Sequence, residues 1–112
     1  MTKIKFYEKN GFIVKMELDG HTGLAQSGED VLCAGISAIS QSAVLGLKQV
    51  VKCHLQFERR EKQGYLCCKI LESDKSILEK TQIIMETALI ALQDLQIGNE
   101  KFMKVEVCDE IY

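Results

Sequence analysis

The stretch from Asp30 to about Val51 most constrains the fold of this chain, because it reads as a long helix built largely of small residues. Alanine, serine and glycine let a helix approach its neighbours closely. Each glycine also weakens an isolated helix by about 1 kcal/mol relative to alanine. Burial must therefore hold the segment together, and we expect it to be the central and most buried helix of the fold.

Predicted strands and one further helix surround this segment. Asn10 and Gly11 are a strong hairpin signal between strands at Met1–Tyr7 and Phe12–Asp19. The second strand alternates with period two, which places on one face Phe12, Val14, Met16 and Leu18. The later predicted elements are strand, strand, helix and strand, at Lys52–Arg59, Gly64–Ile70, Asp74–Leu95 and Phe102–Val107. The order β-β-α-β-β-α-β indicates a single α+β domain over residues 1–112, with two helices packed on a mixed or antiparallel sheet.

Length and charge exclude several classes of function. The 112 residues suffice for one modest core. A formal net charge of −2 provides no basic face, so we expect no direct nucleic-acid partner. The N-terminus has no apolar signal region, and no segment reads as a membrane span. Five cysteines, an odd number without an export signal, predict reduced thiols and a cytoplasmic location.

A histidine and a cysteine flank the start of the central helix. Gly20, Gly23 and Gly28 let the backbone bend around His21, and we expect this loop to act as a lid over an extended peptide. With the helix starting near Asp30, Cys33 lies in its first turn, where unpaired N–H groups favour a thiolate. His21 and Cys33 together would suffice for nucleophilic acyl transfer.

Other roles for these residues stay open. Cys33 could instead be a small apolar residue buried in the core, without a catalytic role. His21 could instead be a surface histidine without a partner. Asp30 either caps the helix or orients His21, and Asp19 is a rival for the second role. The backbone N–H groups near Leu32–Ala34 are candidates for an oxyanion site.

A metal site is the other chemical possibility in this composition. Its candidate ligands are Cys53, His54, Cys67 and Cys68. They lack the C-x-x-C spacing typical of zinc ligands, and neighbouring cysteines on a strand point to opposite faces. We therefore predict no metal.

The run Asp-Gly-His at residues 19–21, followed by Gly28-x-Asp30-x-x-Cys33-Ala-x-x-Ser37, resembles the ribosomal-processing cysteine protease family, Prp. The resemblance implies that Cys33 is the nucleophile and His21 the base, with Gly20, Asp30 and Ser37 at supporting positions. It implies a substrate that is a large-subunit ribosomal protein, the twenty-seventh by the usual naming, made with a short N-terminal extension. It also suggests a homodimer and implies no cofactor. Thr22 departs from the alanine common in relatives.

Two other functions compete with a protease. A non-catalytic, ribosome-associated binding module would have no need for the histidine and cysteine arrangement. A thiol redox protein is disfavoured because Cys33 has no second cysteine at C-x-x-C spacing.

Overall fold

The computed structural model of the chain describes residues 1–21 and 26–110, with the backbone alone for residues 26–30. Five strands form one sheet: Thr2–Lys9 (β1), Phe12–Asp19 (β2), Leu55–Arg60 (β3), Tyr65–Ile70 (β4) and Met103–Asp109 (β5). Two long helices are Gln26–Leu45 (α1) and Lys75–Gln96 (α2). The predicted α+β class and the order β-β-α-β-β-α-β are confirmed.

The sheet is mixed, with strand order β3-β4-β2-β1-β5. β5 joins β1 in parallel, and the other neighbouring strands are antiparallel. The β1–β2 hairpin turns through Asn10 and Gly11, whose φ angles of 53° and 84° suit the left-handed backbone of a two-residue hairpin turn. β3 and β4 are joined by a single 3₁₀ turn at Glu61–Gln63, which ends at Gly64.

A bulge in the first hairpin changes which residues of β2 face the core. The strict alternation predicted from sequence puts Phe12 and Val14 inward, whereas Ile13 is the buried residue, at 4% exposure. The pairing shifts from Tyr7 opposite Lys15 to Glu8 opposite Ile13, so Val14 is the extra residue of the bulge. The prediction is therefore wrong at the start of β2 and right from Met16 onward.

The central helix begins and ends differently from its prediction. α1 starts at Gln26, four residues before the predicted Asp30, and after Leu45 the chain widens into a π-helical segment at Gly46–Val51. A Cβ atom on Gly46 would lie 3.0 Å from Cδ1 of Ile84 on α2, so the helices approach closely here and a larger residue would require Ile84 to shift. Lys52 and Cys53 close the helix rather than begin β3, since Lys52 has a φ of 61° and the Cys53 N–H donates to the Leu47 carbonyl. The His54 carbonyl accepts from the Leu71 N–H, and β3 begins at Leu55.

The core lies between one face of the sheet and the two helices. α1 and its π extension bury six described side chains: Leu32, Ile36, Ser40, Ala43, Val44 and Leu47. α2 buries four, Thr81, Met85, Ala88 and Leu92. The expectation of a buried central helix is thus confirmed. This packing fixes the position of α1 from Leu32 onward against the sheet.

The same helix qualifies, by length and composition, as a membrane span. Val31–Val51 has a mean hydropathy of 1.5, although serines, glutamines and a lysine interrupt its apolar residues. Core helices pass the same test. Here the buried side chains of Leu32, Ile36 and Leu47 belong to the core, which accounts for the hydropathy.

Candidate active site

A cavity of about 250 Å³ separates the middle of α1 from the end of the sheet where β2 finishes and β4 begins. Both His21 and Cys33 line it. The other residues around the cavity are Thr2, Leu18, Gly20, Ile36, Ser37, Ser40, Gln41, Arg59, Glu61, Gly64, Tyr65 and Leu66. Residues distant in sequence thus meet at one opening that is wide enough for part of a peptide chain.

His21 is held by the backbone that precedes it. Gly20 has a φ of 103°, which turns the chain sharply as it leaves β2. The Gly20 N–H donates to the Gly64 carbonyl at 3.0 Å, and the Thr2 hydroxyl donates to the Gly20 carbonyl at 3.4 Å. The exposed imidazole therefore projects from a point fixed on two sides. Gly20 therefore anchors the backbone from which His21 projects.

Cys33 lies deeper in its helix than predicted. It is the eighth residue of α1, roughly 10 Å along the axis from Gln26. The unpaired N–H groups of a helix belong to its first four residues. The placement of Cys33 in the first turn is therefore wrong, and so is the candidate oxyanion site at Leu32–Ala34, since those N–H groups point to carbonyls within the helix.

Ser37 and Gln41 follow Cys33 on the same face of α1, four and eight residues along. Both line the cavity, so Ser37 lies where the resemblance implies a supporting residue. The neighbouring Ser40 is buried, and its hydroxyl donates to the Ile36 carbonyl at 2.9 Å. This serine stabilises the wall of the cavity, whereas Ser37 and Gln41 present polar groups to it.

The remaining predicted site residues lie either outside the described residues or away from Cys33. Gly23 and the side chain of Asp30 lie outside the described residues, as does Thr22. Gly28 belongs to α1 and not to the predicted loop. Asp19 is exposed and alternates on β2 with Leu18, whose side chain is buried and faces the cavity. Asp19 therefore lies on the opposite face of the sheet from Cys33.

Sequence reasoning missed the contribution of the β3–β4 turn. Arg59 and Glu61 form an ion pair of 2.9 Å, and both line the cavity. Their side chains are 40% and 74% exposed, so the turn is solvated. The turn can be placed beside His21 only from the strand pairing, which the sequence does not show. Leu66 of β4 lies opposite both Leu18 of β2 and Arg59 of β3, and this pairing brings the turn to His21.

A carboxylate shared by two tyrosines rigidifies the sheet near the cavity. Glu17 accepts hydrogen bonds from the Tyr65 hydroxyl at 2.8 Å and the Tyr7 hydroxyl at 3.1 Å. Burial and the charge of Glu17 raise the pKa of Tyr7 to about 12. Burial and the hydrogen bond to Glu17 raise the pKa of Tyr65 above its usual value as well. Both phenols are therefore neutral donors at physiological pH, and β1, β2 and β4 are tied together.

The other thiols and the second histidine lie away from this cavity. His54 and Cys53 line a separate cavity beside the end of α1. Burial raises the pKa of the Cys68 thiol to about 12 and also raises the pKa values of Cys53 and Cys67. Thiolate chemistry at neutral pH is therefore suppressed at these three residues. Within the described residues, no group of three histidine, cysteine or acidic side chains converges to hold a metal.

Comparison with known proteins points to one family. The sequence model of the family described as cysteine protease Prp matches residues 1–104. The ribosomal processing cysteine protease Prp of Bacillus subtilis (strain 168) is 27% identical over 85 residues, which cover 75% of this chain and 76% of that protein.

Solved structures share the fold. SMU.848 from Streptococcus mutans superposes with a TM-score of 0.86 at 24% identity, over 98% of this chain and 96% of that one. The ribosomal processing protease Prp from S. aureus, in complex with a covalently linked product peptide, has a TM-score of 0.82 at 18% identity. The match covers 96% of this chain and 99% of that one. Since the family model covers nearly the whole sequence, this chain belongs to the Prp family of cysteine proteases.

Proposed function

We propose that this protein is an endopeptidase in which Cys33 is the nucleophile and His21 the general base. The observation that carries the proposal is that the two side chains line one cavity, although they lie on different elements. His54, the other histidine of the chain, lines a different cavity, and burial raises the pKa values of three other thiols. A cysteine and a histidine at one opening are the minimal requirement for acyl transfer through a thiol.

In the proposed reaction, the imidazole of His21 takes the thiol proton as Cys33 Sγ attacks the scissile carbonyl carbon. The tetrahedral intermediate collapses when the C–N bond breaks, and His21 donates the proton to the leaving amine. A water molecule then loses a proton to His21 and attacks the thioester. The released products are a carboxylic acid and the regenerated thiol.

The proposed substrate is a large-subunit ribosomal protein, the twenty-seventh, made with a short N-terminal extension. A curated relative is named a ribosomal processing protease, and a solved relative is described in complex with a substrate peptide. In this chain the cavity opens between α1 and the β3–β4 turn, so a flexible extension can enter. The formal net charge of −2 suits a basic protein as substrate. We place the reaction in the cytoplasm.

The first experiment is mass spectrometry of a peptide that spans the extension, after incubation with matched variants. Wild type and Cys108→Ala should cut one bond, and Cys33→Ala should cut none, because Cys108 is also half-buried but lies on β5, outside the cavity. His21→Gln should lose most activity, while His54→Gln should retain it. Cleavage by Cys33→Ala would refute the proposed nucleophile, and equal loss in both histidine variants would refute the proposed base.

We also propose a homodimer that pairs the groove between α1 and α2 with the same groove of a second copy. Ile83 and Ile90 lie seven residues apart, two turns along one side of α2, and are 71% and 65% exposed. Ile97, the residue that caps the end of α2, is 74% exposed. A seven-residue repeat returns to one face every two turns and suits an identical helix related by two-fold symmetry. The adjoining groove of about 450 Å³ is lined mainly by alanines and other small residues, which leave room for isoleucine side chains.

Analytical ultracentrifugation tests this dimer. Ile83→Lys and Ile90→Lys together should yield a monomer, while Val50→Lys should behave as wild type because Val50 is 78% exposed but lies outside the groove. A wild-type monomer at all concentrations, or a dimer in the double variant, would refute the proposed interface.

A further inference from the structure

The β3–β4 turn contacts the histidine through its terminal glycine. Gly64 has a φ of 62° and accepts the hydrogen bond from the Gly20 N–H. A Cβ atom on Gly64 would lie 2.9 Å from Cε1 of His21 and 2.6 Å from the Gly20 carbonyl oxygen. Separations below 3.0 Å essentially never occur for real Cβ atoms, so a side chain here would displace its neighbours.

The opposite side of Gly20 leaves little room for displacement. A Cβ atom on Gly20 would lie 2.6 Å from the Met1 carbonyl oxygen, so the backbone there is packed against the start of β1. Gly20 therefore lies between the first residues of the chain and Gly64. The exposed imidazole can move away from a side chain on Gly64, whereas the 2.6 Å clash with the Gly20 oxygen can be relieved only if the backbone before His21 shifts. Both changes move the imidazole.

We infer that Gly64 is a positioning residue for His21: its bare Cα surface sets where the imidazole lies relative to Cys33. This inference rests on the proposed role of His21 as the base. Cε1 lies between the two ring nitrogens, so a contact at this carbon fixes the position of both. The turn thus acts on the reaction through His21 and need not touch the substrate.

Replacement of Gly64 by alanine should lower kcat far more than it changes KM. Misplacement of a catalytic group by about 1 Å costs on the order of 100-fold in rate, and we expect a loss of this size in Gly64→Ala. Gly98→Ala is the matched control, since Gly98 also has a positive φ, 84°, but no atom within 4 Å of an added Cβ. Both variants are destabilised by an alanine in the left-handed backbone region, but Gly64→Ala alone should lose activity.

Gly64→Asn separates the contact from the backbone strain. Asparagine tolerates a left-handed backbone better than alanine but carries the same Cβ atom. If the contact with His21 is the cause, Gly64→Asn should be as inactive as Gly64→Ala. Recovery of wild-type kcat in Gly64→Asn would show that strain alone caused the loss, and would overturn the inference.

Proton NMR measures the contact between Gly64 and His21 directly, independently of any proteolytic activity. The Hε1 proton on Cε1 of His21 should show a nuclear Overhauser effect to the Gly64 Hα protons in the wild-type protein. Gly64→Ala should move the His21 Hε1 resonance and leave that of His54 in place, and Gly98→Ala should move neither. Absence of the Overhauser effect in folded wild type overturns the inference, even if the Gly64 variants fail to fold.

The two sets of measurements distinguish the possible failures. If Gly64→Ala shifts the His21 resonance but His21→Gln remains active, the contact exists and the proposed base is wrong. If His21→Gln is inactive while Gly64→Ala keeps wild-type kcat, the base is right and the positioning role is wrong.

Discussion

Gln82 of α2 completes the hydrogen bonding of the β-bulge, and its loss should destabilise the fold by a calculable amount. Its side-chain oxygen accepts from the Ile13 N–H at 2.7 Å, and its side-chain nitrogen donates to the Ile13 carbonyl at 3.0 Å. Methionine has nearly the same length and helix propensity as glutamine but makes neither bond. Gln82→Met therefore removes both partners of one backbone residue without creating a cavity.

The expected cost follows from these two contacts. Each hydrogen bond contributes about 1 kcal/mol net, and more when the group left behind is fully buried. Gln82 is half-buried, so water can partly replace it, and we expect a loss of about 2 kcal/mol. For a domain of this size, 2 kcal/mol corresponds to a decrease in Tm of roughly 8 °C.

Thermal and urea denaturation followed by circular dichroism measure this loss. Gln93→Met is the control, because Gln93 is an exposed glutamine on the same helix. It should change the free energy of unfolding by less than about 0.5 kcal/mol. The activity per folded molecule should be unchanged in both variants, since Ile13 lies at the start of β2 and His21 beyond its other end. A Gln82→Met variant as stable as Gln93→Met would refute the role assigned to the bulge.

Three further results are expected. Asp74→Ala should lower stability, because Asp74 caps α2 through the Ser76 and Ile77 N–H groups. Hydrogen bonding to Ser76 lowers the pKa of Asp74 in the folded state. The stability that Asp74 contributes should therefore be complete above its unfolded pKa of about 3.9, and it should disappear as the pH falls through the lower pKa of the folded state. Iodoacetamide at neutral pH should label Cys68 far more slowly than Cys108 in folded protein, because burial raises the pKa of Cys68 to about 12; peptide mass spectrometry quantifies both. Stability should fall above about pH 10 as the unfolded chain releases the Tyr7 proton that the fold retains to about pH 12. Urea midpoints against pH measure this loss.

The sequence predicted the elements of the fold well because their signals are local. The Asn10–Gly11 turn requires left-handed backbone that these residue types tolerate, and the structure has it there. The second helix is predicted to begin at Asp74, and Asp74 caps α2 by accepting two backbone N–H groups. Such features depend on a few adjacent residues, so a single sequence is enough to predict them.

Features that depend on pairing between residues distant in sequence could not be predicted from the sequence alone. The bulge at Val14 arises from the fit of β2 against β1 and is completed by Gln82, about 70 residues along the chain. The approach of Gly64 to His21 depends in the same way on the register of β4 against β2. Neither residue carries a local pattern that distinguishes it from an ordinary helix glutamine or turn glycine.

The early start of α1 also changes how the thiol must be activated, and a labelling experiment distinguishes the two mechanisms. A cysteine in the first turn would be activated by the helix terminus, and its alkylation rate would not depend on His21. Cys33 is the eighth residue, beyond the unpaired N–H groups, so the proposed mechanism assigns its activation to the imidazole of His21, which lines the same cavity. Alkylation of Cys33 at neutral pH should therefore slow in His21→Gln and remain at the wild-type rate in His54→Gln. Equal rates in His21→Gln and wild type would show that the imidazole does not activate the thiol, and would refute this step of the proposed mechanism.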